Sequence, residues 1–446
     1  MSEAKKDLEG RPLTRDELFK TSNTELLARW PIDVHQNAWS IPLAEMNPGH
    51  PALFEAGVEL PYFERLRDED PVHYCAESQF GPYWSVTRFD DMKWVDAHHE
   101  LFSSDSRLGG ISLGGVAEPE PDPNFSLPMF IQEDPPKHDQ QRKVVAPMFT
   151  PRELAKLADL IRQRAGTILD NLPRNEEFNW VRHVSVELTG QMLATLFDIP
   201  QTDRDKLIYW SDSVQNLGNP EFFDTIGEGF QELWKCYEYF DAVWKERAAA
   251  TEPGHDLISM LAHGEATKNM PPNEYLGNIL LLIVGGNDTT RNSISGGVLA
   301  LNQFPDQYDK LMADHSLAAG MAQEAIRFQT PVAHMARTAT QDVELGGKHI
   351  KKGDRVAMWY VSGNRDESAI TNANQFVIDR AEVRKHVSFG FGIHRCLGNR
   401  LGEMQLKIIW EEILKRFPKI EVVGDPVLLK SSFIRGIREL PVRIPA

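Results

Sequence analysis

Apolar residues along this chain recur with two different periods, and the helical one dominates. Near the start, "YFERLRDEDPVHYC" predicts a short helix giving way to a strand, and "GPYWSVTRFDDM" a strand followed by a turn. The stretch "LGGISLGGVAEPEPDPNFSLPMF" has neither period and concentrates Gly, Pro and acids, so a long loop is expected over residues 108–129. From about residue 135 to 330 the pattern is almost wholly helical. Pro135 and Pro136 suit a first helical turn, with Asp134 as its N-cap. Helices follow in "PRELAKLADLIRQRAGTILDNL", "VSVELTGQMLATLFDI", "FQELWKCYEYFDAVWKERAAA" and "HDLISMLAHG".

"NEYLGNILLLIVGGNDTTRNSISGGVLALNQF" has an apolar first half and a glycine-rich, polar middle. A helix this apolar belongs in the core. Gly285 and Gly286 should weaken it, and the hydroxyls of Thr289 and Thr290 can bond carbonyls one turn back, so a local opening is expected there. "ATQDVELGGKHIKKGDRVAMWYV" predicts strands parted at Gly346-Gly347 and Gly353-Asp354, and "LLKSSFIRGIRELPVRI" a second short hairpin. The fold class is mainly α with a minor β part: an N-terminal arm over 1–50 and a single domain over 51–446.

Composition narrows the function. A net charge of −17 argues against nucleic acid as the partner. The polar opening lacks the apolar core of a secretory signal, and "ILLLIVGG" is far shorter than the roughly 20 residues a membrane span needs. A cytoplasmic protein with no membrane span is expected. Cys75, Cys236 and Cys396 are odd in number and far apart, which suits neither a disulfide framework nor a cysteine-pair zinc site.

Of the three, Cys396 has the unusual surroundings. In "SFGFGIHRCLGNRLGEMQL", Gly390, Gly392 and Gly398 permit left-handed turns and the close approach of a flat ligand. The helix that follows aims its N-terminal N–H groups at the sulfur, favouring thiolate. Such a thiolate is a metal ligand or a nucleophile. Cys75 and Cys236 lack this setting and read as small buried hydrophobes.

"FGFGIHRCLG" resembles the haem-binding signature of the cytochrome P450 superfamily at Phe389, Gly390, Gly392, His394, Cys396 and Gly398. The resemblance implies the P450 fold and haem b, with Cys396 as iron ligand. Other family parts follow in order, covering the chain from about residue 60 onward. Glu324 and Arg327 in "EAIR" resemble the family's structural Glu-x-x-Arg pair. "GGNDTT" resembles its oxygen-activation motif, which makes Asp288 a proton conduit and Thr289 the hydrogen-bond donor on the oxygen-activating side. His138 and Arg142, at i and i+4, match propionate-binding positions, as do Arg337 in "HMART" and His394. "NRDE" and "FVIDR" resemble the meander before the cysteine loop.

Within the superfamily the motifs are most similar to bacterial soluble hydroxylases of alkane and fatty-acid chain ends. The activity implied is insertion of one oxygen atom of O2 into the terminal C–H bond of a medium-chain alkane or fatty acid. Substrate contacts carried over are Leu281, Val284, Gly285, Ala333, Met335, Phe433 and Ile434, all apolar or small. Relatives acting on steroid side chains or terpenoids share the Arg291-Asn292 pair. A haem-thiolate sensor shares the cysteine loop, and a peroxide-using hydroxylase shares the fold but tends to replace the acid–alcohol pair. No flavin or nicotinamide fingerprint and no cysteine cluster occurs, so electrons must come from a separate partner; the resemblance implies a ferredoxin and its reductase. Six Lys or Arg (380, 384, 385, 395, 400, 407) against Glu382 and Glu403 offer an acidic ferredoxin a basic surface.

Overall fold

The computed structural model describes residues 15–115, 122 and 125–446; the first fourteen residues of the arm and residues 116–121, 123 and 124 of the long loop lie outside them. Among the described residues the architecture is mainly helical with four small sheets. A central helix, Pro272–Gln303, starts with proline in its first turn and ends at Phe304 before Pro305. Its Leu276, Ile279, Leu280, Ile283, Ile294, Val298 and Leu301 are all buried, each contributing about 1.5–3 kcal/mol of apolar transfer. Around it pack Glu187–Leu196, Arg204–Gln215, Ala318–Gln329 and the terminal helix Asn399–Arg416, with Pro151–Asp170 against the last of these.

A second core lies under a five-stranded sheet in the order Val72–Cys75, Tyr83–Val86, Arg355–Met358, Met335–Ala339, Phe102–Ser103. All its pairs are antiparallel except Tyr83–Val86 with Arg355–Met358. Ala38, Ile41 and Met46 of the arm are buried in this core, and Asn23 is buried against the carbonyls of Leu217 and Phe223.

Four local expectations are corrected. The "turn" after Tyr83–Val86 is a helix, Phe89–Ala97. Asp134 caps nothing: the next helix is Lys137–Val145 with Pro136 at its N-cap, and the Asp134 carboxylate instead accepts from the Ser103 hydroxyl and the Ser104 N–H. The central helix runs unbroken through Gly285-Gly286, because the Thr289 hydroxyl donates to the Gly285 carbonyl (2.9 Å) without displacing the helical bonding. Only Val343–Leu345 and Lys348–Ile350 form the hairpin at Gly346-Gly347; Arg355–Met358 joins the main sheet. The C-terminal hairpin pairs Val427–Leu428 with Ile437–Glu439. Among the described residues no helix is long and apolar enough to cross a membrane.

Candidate active site

The loop bearing Cys396 is shaped by two left-handed glycines, Gly390 (φ 64°) and Gly392 (φ 62°). A Cβ on Gly392 would sit 2.1 Å from the Asp96 carbonyl oxygen. The close approach this glycine permits is therefore to the helix Phe89–Ala97, not to a ligand. Gly398 has φ −86° and no crowding; its backbone N–H points at the Cys396 sulfur. The Cys396 N–H donates to the Phe389 carbonyl (2.8 Å), fixing the thiol's direction. Burial pushes the Cys396 thiol up, against the Gly398 N–H, Arg142 and Arg395, which favour thiolate. The residue nevertheless keeps accessible surface. Both hold at once on the wall of an interior cleft. Cys75 and Cys236 are buried, and burial raises both thiols.

On one side of that loop the structure assembles four basic groups from three chain segments. The His138 and His394 rings lie 4.3 Å apart. Arg337 and Arg142 stand close enough to His394 to help hold its imidazole far below the ordinary range, after burial, the largest cause. Arg142 donates to the Arg395 carbonyl. Arg337, 3% exposed, bonds the Asp96 carboxylate at 2.9 Å. The Nε2 atom of His138 and both ring nitrogens of His394 are buried without a hydrogen-bond partner. Orphaned polar atoms of this kind require an explanation. Two arginines and two imidazoles beside a thiol suit a flat macrocycle bearing two carboxylates and a thiolate-bound metal, so the residues present fit a haem.

Midway along its length the central helix keeps one stripe of its surface partly open. Leu281, Gly285 and Thr289, at i, i+4 and i+8, keep accessible surface, as does Val284, while Asn287, Asp288, Thr290 and Arg291 are buried. Among the described residues, no atom outside the helix's own backbone lies within 4 Å of where a Gly285 Cβ would be. The Thr290 hydroxyl oxygen stands 3.7 Å from where a Cβ on Gly402 would be, so the middle of the central helix passes close to the first turn of the terminal helix that follows the cysteine loop. Met335 and Phe433 are half-buried, but Ala333 and Ile434 are 0% and 2% exposed. These two are wall material behind the surface, held by the Ala333 N–H bond to the Phe433 carbonyl (2.8 Å) and the Val332–Ile434 bridge.

Asp288 points away from the stripe. Its carboxylate meets Arg291 at 2.6 Å and accepts from the Ser211 hydroxyl at 2.6 Å, and Arg291 also bonds Asp212 at 2.7 Å. Burial raises the Asp288 carboxyl and Arg291 opposes it. Ser211 and Asp212 lie on the helix Arg204–Gln215, packed across the central one. This helix lies within the span 135–330 that reads as helical but is not singled out by its pattern, and nothing in the sequence points to Ser211, Asp212 or Arg291 as partners of Asp288.

Glu324 and Arg327 form a fully buried ion pair, 2.6 Å, inside the meander. Arg380 also bonds Glu324 and is 9% exposed in its side chain, so it leaves the expected basic surface. Arg384 pairs with Glu403 and Lys385 with Glu382, though Arg384 remains 76% exposed. Asp96 is a further residue the sequence did not reveal: buried, it accepts from Arg337, Tyr360 and the Phe391 N–H, tying sheet, helix and cysteine loop together.

The chain matches the family model "Cytochrome P450" over residues 122–431. It is 35% identical to linalool 8-monooxygenase of Pseudomonas putida over 88% of this chain and 97% of that protein. To the methyl-branched lipid omega-hydroxylase of Mycobacterium tuberculosis it is 30% identical, over 85% and 90%. The solved structure of cytochrome P450-153 from Novosphingobium aromaticivorans superposes with a TM-score of 0.84 at 41% identity, covering 92% of this chain and all of that one. Fold, thiol loop and relatives agree: the chain belongs to the cytochrome P450 family of monooxygenases, whose cofactor is a haem held by a cysteine thiolate.

Proposed function

We propose that this monooxygenase hydroxylates the terminal carbon of medium-chain alkanes or fatty acids. The observation that carries the reading is the open stripe of the central helix. Leu281, Val284 and Gly285 line it without a charge, a half-buried Met335 and Phe433 extend the apolar surface, and Thr289 supplies its hydroxyl. An uncharged, chain-shaped substrate is what such a surface takes up. Kinship with an enzyme named an omega-hydroxylase supports attack at a chain end. Kinship with linalool 8-monooxygenase favours a second reading, in which the substrate is a terpenoid.

In this reading Cys396 would hold the iron of haem b through its thiolate, and His138, Arg142, Arg337 and His394 would bind the haem carboxylates. Phe389 and Gly398 shape the loop that carries the thiolate. When bound, the haem supplies the activation of dioxygen and the insertion of one oxygen atom into a C–H bond. The chain's own residues do the rest. The apolar stripe excludes water and holds the substrate by its flank, so the methyl end is presented by steric placement rather than by C–H bond strength, which favours the neighbouring methylenes. Asp288 carries protons inward: Asp212 is about one-third exposed on the solvent side of Arg291, and Asp288 Oδ2 faces the Ser211 hydroxyl. A turn of the Asp288 side chain away from Arg291 brings its proton toward Thr289. Electrons come from an acidic ferredoxin and its reductase, with Arg384, Lys385, Arg395 and Arg400 as the docking charges.

Product analysis with octane and dodecanoate tests the reading. Terminal alcohols should dominate; chiefly in-chain alcohols would refute it, and turnover of linalool alone would favour the second reading. Cys396→Ala should lose the pigment altogether.

A further inference from the structure

His334 takes no part in the reading above, yet it joins two segments of the proposed substrate wall, at Met335 and Phe433, to the long loop at Leu113. It lies between Ala333 and Met335, is 1% exposed, and uses both ring nitrogens. Nδ1 donates to the Ser432 carbonyl at 2.7 Å, next to Phe433. Nε2 accepts from the Leu113 N–H at 3.3 Å, in the described part of the long loop. The ring packs between Trp359 (centroids 4.7 Å) and Phe433 (5.5 Å, edge-on).

Only one protonation state satisfies this arrangement. A carbonyl requires a donor and an N–H requires an acceptor, so the ring must be neutral with its hydrogen on Nδ1. Burial pushes the imidazole down to about 4, Arg355 is the cation that adds to this effect, and the Ser432 bond opposes it. Arg355 meanwhile staples the same loop through the carbonyls of Gly110 and Ser112. Phe433 depends on His334 from two sides, through the ring contact and through the neighbouring Ser432 carbonyl.

We propose that His334 is a positioning residue for substrate selectivity. It is a neutral clasp that fixes the Leu113 loop and the Phe433 turn relative to Met335, and so sets the width of the wall past which the chain end reaches the haem. The selectivity half of this claim rests on the proposed chain-end reading; the clasp itself does not.

The two bonds can be cut separately. Glutamine places an acceptor near Nε2, and asparagine a donor near Nδ1. Hydrogen exchange on the haem-loaded enzyme should show His334→Gln keeping Leu113 protected while residues 431–434 loosen, and His334→Asn doing the reverse. His334→Phe should loosen both, with Leu113 exchanging at least about tenfold faster, as for a buried amide deprived of its acceptor. In parallel, the terminal to in-chain ratio from dodecanoate should fall several-fold in His334→Phe, with a smaller change in the other two. Leu113 exchange unchanged in His334→Phe overturns the clasp. If that variant does not fold, the same loosening in Gln and Asn, rather than opposite patterns, overturns it. Altered exchange with an unchanged product ratio in all three overturns the selectivity role. A parent that oxidises neither dodecanoate nor octane sinks the chain-end reading and leaves exchange to decide the clasp.

Discussion

Replacing Arg327 removes a fully buried side chain that makes five hydrogen bonds, and its cost can be worked from the contacts. All five guanidinium N–H groups are engaged: two on Glu324 (2.8 and 2.6 Å), two on the carbonyls of Asn364 and Ala373 (2.6 and 2.7 Å), one on Gln375 (2.8 Å). Both members of the ion pair are fully buried. Burial alone would raise the Glu324 carboxyl, but Arg327 and Arg380 hold it below its usual range. Arg327→Met keeps length and apolar bulk while orphaning the Asn364 and Ala373 carbonyls, at about 1–3 kcal/mol each. Glu324 retains Arg380 and the Val377 N–H, so the carboxylate is only partly stranded. The total is about 4 kcal/mol, inside the range for breaking one side of a buried pair and a large part of the 5–15 kcal/mol that stabilises a typical domain. Arg327→Lys offers three donors for five acceptors and should lose about half as much. Urea midpoints by far-UV circular dichroism, with parent and variants in the same haem-loaded state, measure the loss. Since the lost carbonyls belong to the meander that leads to the cysteine loop, haem content should fall in step. A shift below about 1 kcal/mol for Arg327→Met, or full haem content in a strongly destabilised variant, would refute the reasoning.

Asp288→Asn keeps the size of the side chain but removes the proton it carries, so turnover should drop by at least about a hundredfold while substrate still shifts the haem spectrum; unchanged turnover rules out the relay. Gly285→Val adds bulk where, among the described residues, no atom outside the helix's own backbone lies within 4 Å, so the fold should be unharmed; displacing two methylenes at about 0.8 kcal/mol each should weaken dodecanoate binding about tenfold, read by equilibrium titration. Charge reversal of both Arg384 and Lys385 should slow reduction by an acidic ferredoxin several-fold at low salt and little at high salt, as stopped-flow would show. The folded chain holds His334 at about 4 against an ordinary 6.5, so the unfolded chain takes up that proton first. The stability this ring contributes is whole above pH 6.5 and is lost, by about 3 kcal/mol, as pH falls toward 4; the slope of urea midpoint against pH should be correspondingly shallower in His334→Phe.

What could be read from the sequence, and what could not, divides by how far apart the interacting residues lie along the chain. The cysteine loop is ten consecutive residues in which glycine, cysteine and histidine each answer a local demand, and Glu324 and Arg327 are one helical turn apart. Such patterns survive in one dimension. The partner that makes Arg337 useful, Asp96, is 241 residues away and lies just past the stretch "GPYWSVTRFDDM", where no local pattern marks it. The helix that cages Asp288 is written "RDKLIYWSDSVQ", where serines and aspartates that ordinarily favour caps obscure the period. They are there because Ser211 and Asp212 serve the buried acid rather than the helix. Gly392 illustrates the same limit from the other side: its left-handed backbone was foreseeable, but whether the space it clears belongs to a ligand or to the Asp96 carbonyl depends on a helix packed against it from far earlier in the chain. His334 is the extreme case. A lone histidine in "PVAHMART" carries no local signal, and only the folded chain brings Leu113, Ser432 and Phe433 to it from 221 residues before and 98 after. The cysteine loop itself is thus locally encoded, whereas the hold of Asp96 on Arg337 and the proposed clasp at His334 are not. Substitutions that alter selectivity without loss of haem are therefore to be expected at contacts of long sequence separation such as those of His334.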